Sequence, residues 1–160
     1  MNAAALFDAA AGQGHGWIAA RVPHQGRMCL LDRVERMGAG EAVCSAISHT
    51  DADNPLREGG RLGAACGVEY AAQAMALHGA LIAQARGGPP ASMGFLVSLR
   101  SVKLHVVRLD DVGERITIQV SNEADNGDHS VYRFALHAND RPLLDGRAVV
   151  MLDVNPSVAA

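Results

Sequence analysis

The 160 residues are 49% hydrophobic and 19% charged, a balance that suits a folded chain with a sizeable core and excludes intrinsic disorder. A net charge of −3, with acidic and basic residues interleaved and aromatic residues at 4%, leaves neither a basic arm nor stacking platforms, which excludes a polynucleotide partner. The three cysteines, Cys29, Cys44 and Cys66, are odd in number, widely spaced and without a CxxC pair. They argue against a disulfide framework or a cysteine-rich zinc site, and for core positions in a reducing cytoplasm.

In chain order, residues 3–10 predict a short leading helix. The N-terminal "MNAAALFDAAAGQG" lacks a basic segment and Asp8 interrupts its apolar stretch, so it reads poorly as a secretory signal. "VPHQGRMCLLDRVERM" runs from a turn into a strand ending near Arg36. "GAG" at 38–40 turns the chain, and "EAVCSAISH" returns as the second strand of a hairpin. "TDADNPLREGGRLG" is polar and reads as a loop.

Next comes "CGVEYAAQAMALHG", a helix nearly apolar all round. Residues 64–85 are long enough to span a membrane, but Glu69, Gln73, His78 and Gln84 interrupt them, so a buried core helix is the reading. It should stop near "ARGGPP". Strands follow: "MGFLVSLRSVKLHVV", then "ERITIQVSN" with Ile116, Ile118 and Val120 on one face. Asn126-Gly127 predicts a hairpin into "SVYRFALHA", with Tyr132, Phe134 and Leu136 inward, and Asn139-Asp140 turns the chain into "PLLDGRAVVMLDV". The expectation is a single α+β domain over 1–160, an antiparallel sheet wrapped around one long apolar helix. A helix apolar on every side needs cover all round, so a second copy is expected to close the side the sheet leaves open.

Two polar residues stand out against this background. Burying an ionised carboxylate costs several kcal/mol unless it is paired, hydrogen-bonded or neutralised. Glu69 and Gln73 are four apart on one face, so the amide is placed to hydrogen-bond the carboxyl and fix it, while His78, nine residues on from Glu69, faces the other way. Taken alone, Glu69 also reads as a carboxylate reaching solvent through a gap. His24, after Pro23, also reads alone as an exposed or backbone-bonded histidine.

Together the segments say more. "VPHQGRMCLLDRV" resembles the "PH…LLVDRV" segment of the β-hydroxyacyl-acyl carrier protein dehydratases, with Asp32 eight residues after His24. "GVEYAAQAM" resembles their central-helix "VEAMAQ", with Glu69 and Gln73 at the matching spacing. "FLVSLRSVKLHVVRLDDVGERITIQV" is similar to the strand, turn and strand that follow. The resemblance covers roughly residues 20–152 in consistent order. Two features depart from the pattern: Gly63-Ala64 replaces the family's Pro-Gly before the helix, and its "GHFP" segment is absent. In this the chain is more similar to the small dehydratase-like proteins of aryl polyene or polyketide-type lipid synthesis.

The resemblance implies the hot-dog fold, dimerised edge to edge into a continuous sheet, and dehydration of 3-hydroxyacyl thioesters. It implies His24 as base, Glu69 as acid, the Ala64 amide as donor to the thioester oxygen and Gln73 as a substrate-site residue, with His24 and Glu69 contributed by different subunits. Desolvation on an apolar helix would keep Glu69 protonated, and amides at a helix start are unpaired and suited to developing negative charge. No metal or organic cofactor is implied. The expected partners are an acyl carrier protein and a homodimeric or heterodimeric hot-dog subunit, with no nucleic acid and no membrane. Arg100, Lys103 and Arg108 are candidates for a basic rim facing the carrier. Two alternatives stay open: a hot-dog acyl thioesterase, in which the carboxylate activates water, and a non-catalytic subunit paired with an active dehydratase.

Overall fold

The computed structural model describes residues 2–88 and 95–151. The long helix stops at Ala85, at the start of the expected "ARGGPP" stop, with Gly87 at φ 70°. Pro89-Pro90, the strand start at Met93 and the last residues of the final strand, 152–154, lie outside the described residues. Three helices are present among those residues, α1 (Ala3–Ala10), α2 (His15–Ala19) and α3 (Gly67–Ala85). The strands are β1 (Arg33–Met37), β2 (Glu41–Ala46), β3 (Phe95–Leu104), β4 (Ile116–Asp125), β5 (His129–Ala138) and β6 (Arg141–Met151). They form one antiparallel sheet in the order β1-β2-β4-β5-β6-β3, with α3 against one face. This is the α+β, sheet-around-helix arrangement of the hot-dog fold.

Alternation decides which strand face meets the helix. Ile116, Ile118 and Val120 of β4, Tyr132, Phe134 and Leu136 of β5, and Leu144 and Ala148 of β6 are buried together with Tyr70, Ala71, Ala74 and Leu77 of α3. Gly67 lets the helix start sit directly on the sheet: a Cβ there would lie 2.5 Å from Leu144 Cδ2. The β5–β6 turn places Asn139 and Asp140 at φ 50° and 65°, the backbone of a two-residue hairpin loop. His78 is fully buried on the far side of α3 from Glu69. Its Nε2 donates to the Gly38 carbonyl at 2.9 Å, which leaves Nδ1 to accept from the Tyr132 hydroxyl at 2.7 Å.

Cover for α3 comes in part from the leading helix. Phe7 and Ala10 of α1 pack on Leu81, so the leading helix seals the C-terminal end of α3. The remaining face, from Glu69 through Ala72, Ala76 and Ala80 to Ala83, is half-buried. The two edges of the sheet differ as well. On the β1 side the segment 12–14 caps the strand, with Gly12 N donating to Val34 O and Val34 N to Gln13 O. On the other side, β3 carries Leu96, Val97 and Leu99 exposed.

The first strand differs from expectation. It begins at Arg33, and residues 29–32 before it are outside any strand although Cys29, Leu30 and Leu31 are buried. Three of their backbone groups are answered instead by side chains from elsewhere in the chain, Leu30 N by Gln73, Leu30 O by Ser48 and Leu31 O by His15, and the first two of these help to build the site.

Candidate active site

His24 and Glu69 are brought together. Glu69 lies in the first turn of α3. His24 follows Pro23 and precedes a 3-10 turn at Gly26–Met28, which Gly26 opens with φ 60°. His24 Nε2 stands 4.0 Å from Glu69 Oε2 within the same chain. That is too long for a hydrogen bond and close enough for both groups to reach adjacent atoms of one ligand. The expectation that the two come from different subunits is therefore corrected: one chain brings them within reach, because the loop carrying His24 folds back over the start of its own α3.

Gln73 does not hold Glu69. It is fully buried, its Oε1 accepts from Leu30 N at 2.8 Å and its Nε2 donates to Met28 O. A backbone pair left open by the absence of a strand ladder outcompetes a half-exposed carboxylate for this amide. Gln73 thus fastens the segment after His24 to the helix that carries Glu69. A second fastening reinforces the first. Ser48 Oγ donates to Leu30 O at 2.8 Å, so the Tyr70 hydroxyl donates to Ser48 Oγ, also at 2.8 Å, while Asn54 Nδ2 donates to the Tyr70 oxygen at 3.0 Å. Tyr70 is the residue after Glu69. Burial pushes its phenol pKa up, which keeps it a neutral donor.

The Ala64 expectation is also corrected. Ala64 is buried and its N–H donates to Val107 O at 3.0 Å, while Leu109 N donates to Leu62 O, so the stretch after β3 has claimed this amide. The next amide, Ala65 N–H, has no partner among the described residues and belongs to an exposed residue in the 3-10 turn leading into α3. Sequence reasoning missed Ala65, Tyr70, Ser48 and Asn54. The signal for Ala65 was the unpaired amide that every helix start offers, and for Tyr70 its position beside Glu69.

Exposure separates the two principal residues. The Glu69 side chain is 46% exposed and that of His24 25%, so this chain does not itself supply the burial expected around the carboxyl. Among the described residues His24 Nδ1 is buried without a hydrogen-bond partner. A cavity of about 310 Å³ is lined by Gly26, Arg27, Cys29, Ser48, Asp51 and Asn54. Neither His24 nor Glu69 lines it. Of the cysteines, Cys44 is held up to about 12 by burial, with Glu35 adding. Cys66, one turn before Glu69, is likewise raised by burial, and its thiol faces Leu56 O at 3.8 Å. Neither is a poised nucleophile. Among the described residues no group of three His, Cys, Asp or Glu side chains is placed to hold a metal ion, and no helix is long and apolar enough to cross a membrane.

A family model described as ApeP-like, ApeP dehydratase, matches residues 17–158. The chain belongs to this family. No curated protein matches it. Among solved structures, the ApeP-like chain is similar to the dehydratase heterocomplex ApeI:P from Xenorhabdus doucetiae, with TM-score 0.78 and 19% identity over 89% of this chain and 94% of that one. A hypothetical thioesterase with coenzyme A from Streptococcus pneumoniae gives TM-score 0.52 at 15% identity, over 76% and 84% of the two chains. PaaI from the phenylacetic acid degradation operon of E. coli gives 0.56 at 11%, over 76% and 79%. At these identities the structural likeness establishes the hot-dog fold; the dehydratase type of function comes with the family.

Proposed function

We propose that the protein dehydrates 3-hydroxyacyl thioesters, carried on an acyl carrier protein, to trans-2-enoyl thioesters in an aryl polyene or fatty-acid-like synthesis. The single observation that carries this is the 4.0 Å approach of His24 Nε2 to Glu69 Oε2 at the start of α3. The two carbons that react are bonded neighbours, so the base serving one and the acid serving the other must stand a few ångströms apart. In the proposed step His24 takes the proton from C2, the C2–C3 double bond forms and the C3–O bond breaks. The departing hydroxyl takes a proton from Glu69 and leaves as water. The Ala65 N–H, in place of Ala64, faces the charge that develops on the thioester oxygen. Gln73 positions the His24 segment rather than touching substrate.

The exposure of Glu69 and the unpartnered Nδ1 of His24 support a site finished by a second hot-dog subunit. The heterocomplex nature of the ApeI:P dehydratase is in line with this. It also favours one second reading, in which this chain supports a partner that does the chemistry. The test is to assay 3-hydroxyacyl and saturated acyl thioesters separately, with the chain alone and with its co-purified partner. Dehydration is expected for the first substrate class and no hydrolysis for the second. Glu69→Gln, which keeps the shape and removes the acid, should lower turnover at least ~100-fold with the fold retained. Dehydration by the complex that is unchanged in both Glu69→Gln and His24→Ala assigns the chemistry to the partner and overturns the proposal.

A further inference from the structure

The expected basic rim does not assemble as Arg100, Lys103 and Arg108. Arg108 is bound by Asp110, with Asp111 at 3.8 Å, and Lys103 stands opposite Asp145 in the β3–β6 register. A different set forms. In the strand registers Arg100 of β3 is directly opposite Arg147 of β6, which is directly opposite Arg133 of β5. Three arginines therefore stand in one row across three adjacent strands. Their neighbours Phe134 and Ala148 point inward to α3, so the row lies on the outer face of the sheet.

Like charges directly opposite each other destabilise a sheet, and here the compensation is partial. A bulge between Asn122 and Ala124 in β4 turns Glu123 toward the row. Its carboxylate reaches Arg147 Nε at 2.9 Å and Arg133 Nε at 3.5 Å, and these guanidiniums, Arg147 first, hold it below the usual carboxylate range. One carboxylate thus answers two of the three guanidiniums, and Arg100 has no carboxylate within reach among the described residues. In a chain whose net charge is −3, this is a local positive excess.

We propose that the row Arg100–Arg147–Arg133 docks a carboxylate-rich protein surface, that of the acidic carrier delivering the acyl thioester; the proposal rests on the function inferred above. The path from row to site is continuous. β3 runs on from Arg100 into the segment whose Val107 carbonyl binds Ala64 N at 3.0 Å, beside Ala65. At ~3.3 Å per residue the stretch from Arg100 to Val107 spans at most about 23 Å, so the row and the start of α3 are joined by one short length of chain.

The experiment compares a 3-hydroxyacyl group on an acidic acyl carrier protein with the same group on a short pantetheine-like thiol. The enzymes are wild type, Arg100→Glu, and a triple variant with Arg100, Arg133 and Arg147 all replaced by Gln. With carrier-linked substrate, kcat/KM is expected to fall at least ~10-fold in the triple variant, through KM, and to lose most of its salt dependence. Turnover of the short thioester and the sedimentation coefficient should not change. Equal rates with carrier-linked substrate overturn the proposal. So does an equal fall with both substrates, which makes the row structural, and so does a smaller assembly, which makes it a subunit contact. If wild type dehydrates neither substrate the proposed function fails, and the row is then judged by titrating the carrier protein directly. Salt-sensitive binding to wild type that is lost in Arg100→Glu upholds it, and binding unaffected by that variant overturns it.

Discussion

At the scale of single residues, the site depends on side chains that replace a missing piece of sheet. Gln73 completes the hydrogen bonding of Leu30 N and Met28 O, and Ser48, set by Tyr70 and Asn54, completes that of Leu30 O. Gln73→Leu keeps the volume and leaves the buried Leu30 N–H and the part-buried Met28 C=O without their partner. It should cost about 2–4 kcal/mol of stability, read as a lower urea midpoint at unchanged slope. Residual activity in the folded fraction should fall too, since His24 is four residues from Met28. A variant as stable and as active as wild type would contradict the positioning role. The same residues mark what the sequence could and could not disclose. His24 and Glu69 could be picked out as candidates because each sits in a local motif, and the fold brings them to 4.0 Å. Gln73 was found, but its partners were misassigned: they lie 43 and 45 residues away, and no local pattern records that pairing. Ala64 failed for the same reason, since Val107 reaches its amide from beyond β3.

At the scale of elements, β4, β5 and the turns were readable because alternation and φ-positive turn residues are local properties. β1 was drawn too long because an apolar run, Cys29 to Leu31, looks alike whether its backbone is paired by a strand or by side chains. The element with a distinct pH signature is α3, through His78. Burial lowers its pKa, against an opposing pull from the Gly38 carbonyl, and burial likewise lowers that of His49, whose Nε2 donates to Gly113 O. For a histidine whose folded pKa is depressed, the unfolded chain binds more protons between the folded value and about 6.5. The stabilisation is therefore fully present above about pH 6.5 and is lost as pH falls through that window. Unfolding midpoints should drop between about pH 7.5 and about pH 5.5, with a shallower drop in His78→Gln. An identical pH slope in the two proteins would remove His78 from the account.

At the scale of the whole molecule, the sheet has one capped edge and one that carries Leu96, Val97 and Leu99 into solvent, and α3 keeps one half-buried face of small residues headed by Glu69. We expect a second hot-dog subunit to cover both, as edges of this kind are otherwise a liability. Because His24 and Glu69 meet within one chain, mixing His24→Ala and Glu69→Ala chains should restore nothing: each subunit of a mixed dimer still lacks one member of its own pair. Recovery to roughly a quarter of wild-type activity, with subunit exchange proven by mass labelling, would instead mean that the pair is shared between subunits. The central claim, that this pair adds and removes water across the C2–C3 bond of an acyl thioester, is tested most directly by running the reaction backwards in heavy-oxygen water and reading the products by mass spectrometry. A 2-enoyl thioester should return as an intact 3-hydroxyacyl thioester with the label on C3 and no label in any carboxylate. Label appearing in a free carboxylic acid, or the absence of any labelled 3-hydroxyacyl thioester in the presence of the partner subunit, would contradict it.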